Sequence, residues 1–267
     1  MEYNYDEKQL RIQQQFYDDR GKWKWNDTWA TILALNPDIM SAYSTMSSLA
    51  HKKGYLSPKV KELIYVAIDN AITHYYTPGM LSHLKHGMND LGCTKEELME
   101  VFAITSTIGT PTFTVGVPIL REVLRQRGTD ISAQDLTEHQ KELKERWIKE
   151  NGFWNYDMDS ILKLDTDMFE AYMNYVAASA NGALDPQTRE LVYIAVNASP
   201  TALNTFSMEL HIKKALDFGV TVEQIMEVFE LVACLGIHSV EYSGRFYTPI
   251  PEIGNHRSDM KETAIPF

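Results

Sequence analysis

Apolar side chains recur at three- and four-residue steps along almost the whole chain, and no hairpin signal interrupts them. Ser57 followed by Pro58, and Asp185 followed by Pro186, each supply an N-cap residue with proline at the first helical position. The segments that follow place Leu63, Val66 and Ala67, then Leu191, Ile194 and Ala195, on single helical faces. Further helices are predicted to begin near Met80 and around Thr205 and to end at Gly92 and Gly219 as left-handed caps. Thr94 with Glu97, and Thr221 with Gln224, form capping boxes that open the next pair, which carry Leu98, Val101 and Phe102 or Ile225, Val228 and Phe229. Those helices are expected to run to Gly109 and Gly236. The pattern predicts an all-α fold.

The elements come in two series. Pro58, Glu62 and His83 map onto Pro186, Glu190 and His211 at a constant offset of 128 residues. A preamble repeats as well, from Trp25 through Asp38 and Tyr43, and again from Trp154 through Asp167 and Tyr172. A repeat this long is a duplicated domain rather than a solenoid unit. The expected organisation is two tandem homologous helical domains: residues 1–125 with an N-terminal helical preamble, a charged helical connector over 126–150, a second repeat over 151–247, and an extended tail over 248–267. Thr137-Glu138-His139-Gln140 reads as the start of a capped, solvated connecting helix.

Bulk properties narrow the function classes. The 267 residues are 44% hydrophobic and 23% charged, values of a globular protein with a substantial core. A net charge of −11 argues against nucleic acid or an anionic membrane as partner, yet leaves room for a local cationic pocket. Cys93 and Cys234 form no CxxC, so neither a redox pair nor a zinc knuckle is indicated. The acidic start lacks an apolar signal region, and no run is expected to reach bilayer-spanning length. A cytoplasmic location is the resulting expectation.

Both copies hold a Glu and a His 21 residues apart. On antiparallel helices joined by a short loop, such residues can face each other, and the carboxylate would fix the imidazole tautomer and raise its basicity for acid–base work. The competing reading makes Glu62 and Glu190 exposed first-turn acids that complement the helix dipole. Beyond the shared frame, His74 and Tyr76 lie in a loop of the first half only, where they form either a site or a surface turn with aromatic packing. His238 occurs only in the second half, either converging on Glu190 and His211 or serving as a core histidine. His83 and His86 have the i, i+3 spacing of metal ligands but no acidic partner at a convenient distance, so no metal is expected. Lys85 and Lys213 follow the two histidines and are candidate carboxylate binders, or solvated helix faces.

These motifs together resemble the carboxymuconolactone decarboxylase and alkylhydroperoxidase D-like family. The matching stretches are Lys61-Glu62-Leu63, His83, Gly92-Cys93-Thr94-Lys95-Glu96-Glu97-Leu98 and Glu100-Val101, then Arg189-Glu190-Leu191, His211, Ala215, Gly219 through Ile225 and Glu227-Val228. In the peroxidase branch a CxxC precedes the histidine. The corresponding positions here are Tyr76 and Gly79, and Asn204 and Ser207, so the thiol nucleophile is missing. The resemblance to the decarboxylase branch implies a small carboxylated lactone or unsaturated acid as substrate, with no organic cofactor. It further implies a histidine that delivers a proton to carbon as the carboxylate departs. His83 oriented by Glu62 is the expected acid, with His211 and Glu190 as the second candidate pair. The resemblance also implies a homo-oligomer, here a dimer or trimer of the duplicated chain. A non-catalytic oligomeric binding or scaffold protein is the alternative, and a thiol peroxidase using Cys93 or Cys234 ranks last.

Overall fold

The computed structural model describes residues 3–180 and 182–244, all helix and connecting turns with no strand among them. The expected tail over 248–267 lies outside the described residues. The helices are α1 (Glu7–Arg20), α2 (Asp27–Leu35), α3 (Pro37–Lys53), α4 (Pro58–Asn70), α5 (Thr77–Asp90), α6 (Lys95–Ser106) and α7 (Pro111–Gln126). They continue with α8 (Glu138–Asn151), α9 (Tyr156–Leu164), α10 (Thr166–Ser179), α11 (Pro186–Ala198), α12 (Thr205–Asp217), α13 (Val222–Ala233) and α14 (His238–Gly244).

The helix ends follow the local chemistry. The Ser57 hydroxyl accepts from the Val60 N–H and the Asp185 carboxylate from the Thr188 N–H, with proline in the first turn of both helices. Thr94 with Glu97 forms the reciprocal capping box that opens α6. Gly92 and Gly219 lie at φ 70° and 82° just beyond α5 and α12, the left-handed conformation that stops each helix. The helix expected near Met80 begins one turn earlier, at Thr77, because Pro78 fits the first turn of a helix.

Two compact packing units emerge, and they do not follow the sequence repeats. Among the described residues, one comprises 3–49 with 234–244, and the other 50–180 with 182–233. In the first, Ile12, Phe16, Trp29, Ile32, Leu33, Met40 and Ile237 make a core in which Trp29 stacks on Tyr43. The second contains α4 to α6 and α11 to α13. Its two central helices are buried nearly all round: Leu63 through Ile68 on α4 and Leu191 through Val196 on α11. Each packs on the two helices that follow it, and α4 and α11 pack on each other.

What locks the two series together is a reciprocal pair of buried ion pairs. Lys61 of α4 meets Glu227 of α13 at 2.5 Å, and Arg189 of α11 meets Glu100 of α6 at 2.6 Å. Both carboxylates are fully buried, and both also accept from backbone N–H groups: Tyr55 and Leu56 on Glu227, and Leu184 on Glu100. The cations are satisfied in turn by carbonyls, Lys61 donating to Ala50 and Arg189 to Leu184. Each residue of one copy thus meets the counterpart of its partner in the other, the signature of an isologous interface. The hydroxyls of Thr73 and Thr201, themselves 128 residues apart, hydrogen-bond at 2.8 Å and mark the axis of this exchange.

Two expectations need correction. The connector helix α8 is not merely solvated: Gln140 and Leu143 are buried, and Leu143 joins Met158, Leu162, Phe169 and Met173 in a core cluster against which Trp147 packs. The i, i+4 spacing of Leu143 and Trp147 puts one apolar stripe on a charged helix. The stretch Lys95–Gln126 is also long and apolar enough for a membrane span by length and composition alone, and most of its apolar window is exposed. Leu98, Val101 and Ile104 of α6 are nevertheless core residues, and a 3-10 turn over Thr107–Gly109 separates α6 from α7.

Removing one partner from a buried pair strands the other charge, at a cost of roughly 3–5 kcal/mol. Glu100→Gln and Glu227→Gln should each lower the stability measured by chemical denaturation by about that amount. Lys53→Met, which breaks a half-exposed pair with Glu230, should cost far less, because solvent screens an exposed pair.

Candidate active site

The Glu–His frame forms in both copies. In the first, Glu62 on α4 and His83 on α5 come together with Nδ1 and Oε2 at 2.7 Å, and both are buried. In the second, Glu190 on α11 and His211 on α12 meet at 2.6 Å. A carboxylate only accepts, so Nδ1–H is the donor in each pair, and in the second copy this leaves the Nε2 of His211 for proton exchange. Both imidazoles also lie flat against a tyrosine one turn beyond the glutamate: Tyr65 under His83 at 4.3 Å between centroids, and Tyr193 under His211 at 4.0 Å. The first-turn glutamates are therefore buried members of a dyad, not exposed dipole partners.

The copies differ in what surrounds the imidazole. His83 is only 2% exposed. Its neighbourhood is tightly filled: a Cβ on Gly87 would meet the Cys93 sulfur at 3.0 Å and the Glu62 side chain at 3.5 Å. His51 reaches the Tyr65 hydroxyl at 3.1 Å, where the second copy has the smaller Ser179 on Tyr193 at 2.9 Å. His211, by contrast, lines a cavity of about 570 Å³ together with Glu190, Tyr193, Asn197, Ser207, Leu210 and Lys214. Val176 and Ala177 of α10 and Ala180 just beyond it also line the cavity, as do Trp147, Glu150 and Asn151 of α8. A second cavity of about 100 Å³ adjoins it, lined almost wholly by carbon; the two share Thr110, Trp147, Tyr172, Met173 and Phe206.

Electrostatics suit a neutral resting histidine. Burial lowers the His211 pKa, and Lys214 pushes the same way, against the raising influence of Glu190. Burial also lowers Lys214, whose ammonium donates to the neutral Asn151 amide at 3.0 Å. Arg189 lines the cavity too, but its guanidinium is committed to Glu100 and the Leu184 carbonyl. Burial pushes the Tyr193 phenol up to about 12, so it stays protonated.

The remaining candidates lie elsewhere. Neither lysine chosen from sequence reaches the cavity: Lys85 is exposed, and Lys213 is exposed and paired with Glu209. Lys214, three residues after His211, shares its helical face, whereas Lys213 at two residues points away. His74 and Tyr76 adjoin each other with rings 6.3 Å apart, and burial lowers the His74 pKa. Tyr76 packs over Gly79, where an added Cβ would collide with Tyr76 at 2.6 Å and with Asp69 at 2.4 Å, so this loop is a close-packed turn. His238 begins α14, 3.7 Å from Glu241. None of these three lines the His211 cavity. The Nδ1 of His83 is engaged by Glu62 and that of His86 by Asp90. Cys93 is buried with its thiol pushed up, away from the thiolate that peroxide reduction needs.

Comparison with known proteins finds the same two copies. The model of the carboxymuconolactone decarboxylase family matches residues 37–122 and 166–237, one segment in each copy. The chain belongs to the carboxymuconolactone decarboxylase family. Among curated proteins none matches it. A solved structure from Burkholderia xenovorans LB400, provisionally named a gamma-carboxymuconolactone decarboxylase subunit, is similar at 33% identity and a TM-score of 0.81. The similarity covers 89% of this chain and 95% of that one, so the duplicated form of the family extends over nearly the whole length of both.

In an NMR titration, His211 should show a midpoint below its ordinary 6.5, and Glu190→Gln should lower it further by removing the group that raises it. Because folding favours the neutral ring, the His211 contribution to stability is full above 6.5 and is lost as pH falls below that value through the lowered midpoint of the folded protein.

Proposed function

We propose that this protein is a cofactor-free acid–base enzyme that moves a proton on a small carboxylated substrate, a lactone or unsaturated acid, bound beside His211. The observation that carries the reading is the Glu190–His211 dyad opening on a cavity that is also lined by the half-buried Lys214. A half-buried ammonium held by a neutral amide is a ready partner for a carboxylate, and the anion would in turn favour the charged form of the lysine. Glu190 holds the ring so that Nε2 can take a proton from a carbon acidified by a neighbouring carbonyl. The resulting imidazolium, stabilised by Glu190, returns that proton at another carbon of the conjugated system. For decarboxylation the imidazole must instead enter protonated from solvent. The C–CO2 bond breaks, its electron pair stays on the substrate carbon, and the imidazolium proton bonds there. The lowered basicity of His211 favours the first course.

A structural role is the better reading for the first copy, where His83 is almost fully buried. The proposal therefore places chemistry in the second copy. His211→Gln should cut turnover of a panel of lactone and unsaturated acids, followed by deuterium incorporation from solvent, by about 10²–10⁴-fold. His83→Gln should lower thermal stability while sparing the rate. Full activity in His211→Gln, or loss confined to a folded His83→Gln, would sink the assignment.

A further inference from the structure

The smaller cavity adds something that a site for a compact polar acid does not need. It presents carbon almost throughout, and it meets the His211 cavity across Met173 and Phe206. Lys214 borders only the larger cavity, and Val117 and Ile161 border only the smaller. One charged wall and one apolar chamber thus lie on opposite sides of a shared partition. Methionine is the most adaptable of apolar side chains, so Met173 can yield to a guest without breaking a hydrogen bond. At about 100 Å³ the chamber is smaller than the roughly 150 Å³ apolar cavity that takes up benzene. A short alkyl or alkenyl chain fits it; a fused ring system does not.

We infer that the substrate is an amphipathic monoanion whose carboxylate sits at Lys214 and whose short hydrocarbon chain passes Met173 into the chamber beside Val117. This rests on the carboxylate reading of the His211 cavity and narrows its substrate class. The chain anchors the acid so that the carbons next to the carboxylate stay beside the imidazole. Recognition of the tail is separate from the charge, and so from proton transfer.

Calorimetric titration of the full-length protein with propanoate, butanoate, hexanoate and decanoate tests this directly. Affinity should rise by about fourfold per methylene, the transfer free energy of a buried CH2, up to hexanoate and then level off as the chamber fills. Val117→Phe, which fills the chamber, should abolish the gain beyond propanoate and leave propanoate binding unchanged; Ile161→Phe should do the same and serves if the first variant does not fold. Lys214→Met should weaken every acid. Propanoate binding with no dependence on chain length would overturn the chamber assignment alone, as would a rise that continues undiminished to decanoate. Failure of all four acids to bind would overturn the carboxylate reading along with it.

Discussion

The second packing unit depends on charge buried where water cannot reach it. Glu100 and Glu227 are fully enclosed, and isolated carboxylates there would be prohibitively costly. Each is tolerated because a cation from the other copy and backbone N–H groups converge on it. The requirement is geometric: α6 must face α11 and α13 must face α4, or two charges are stranded. Hydrophobic burial along α4 and α11 supplies the driving force for packing them together, but apolar surfaces tolerate sliding. The crossed ion pairs do not. They fix the register that sets the start of α11, and with it the position of Glu190 one residue after Arg189.

Within that shared frame the copies take different courses through small changes of volume. The dyad, the stacked tyrosine and the helix starts are common to both. In the first copy the space near the dyad is filled, with His51 on the tyrosine hydroxyl and Cys93 pressed against Gly87. In the second, Ser179 holds that hydroxyl, and Ala177 and Ala180 line the cavity with the imidazole. The same pair of residues is therefore almost fully buried in one place and lines a cavity in the other.

Much of this was legible in the sequence, because caps and apolar spacing are local. Ser57-Pro58, Asp185-Pro186 and the Thr94 box specify helix starts through contacts within four residues, and the constant offset of the Glu and His positions exposed the duplication. Which copy is open was not legible, since it follows from side-chain volumes on helices distant in the chain. His74 and Tyr76 looked like a site because both are polar and lie in a loop, yet the close approach of Gly79 to Tyr76 and Asp69 shows packing. Lys214 could have been found by stepping three residues from His211 rather than two. Trp147 was hidden by the charged residues around it on α8.

The hydrogen bond between Thr73 and Thr201 joins a residue to its own counterpart, as happens on the axis of a symmetric dimer. In a dimer of identical chains every substitution appears twice, so one pocket cannot be enlarged without enlarging its twin and weakening the contact between them. Fusing the two into one polypeptide removes that coupling. A mutation that hollows one half is then borne by a partner that stays solid, and a lineage can trial new ligands in one pocket while the other keeps the pair assembled.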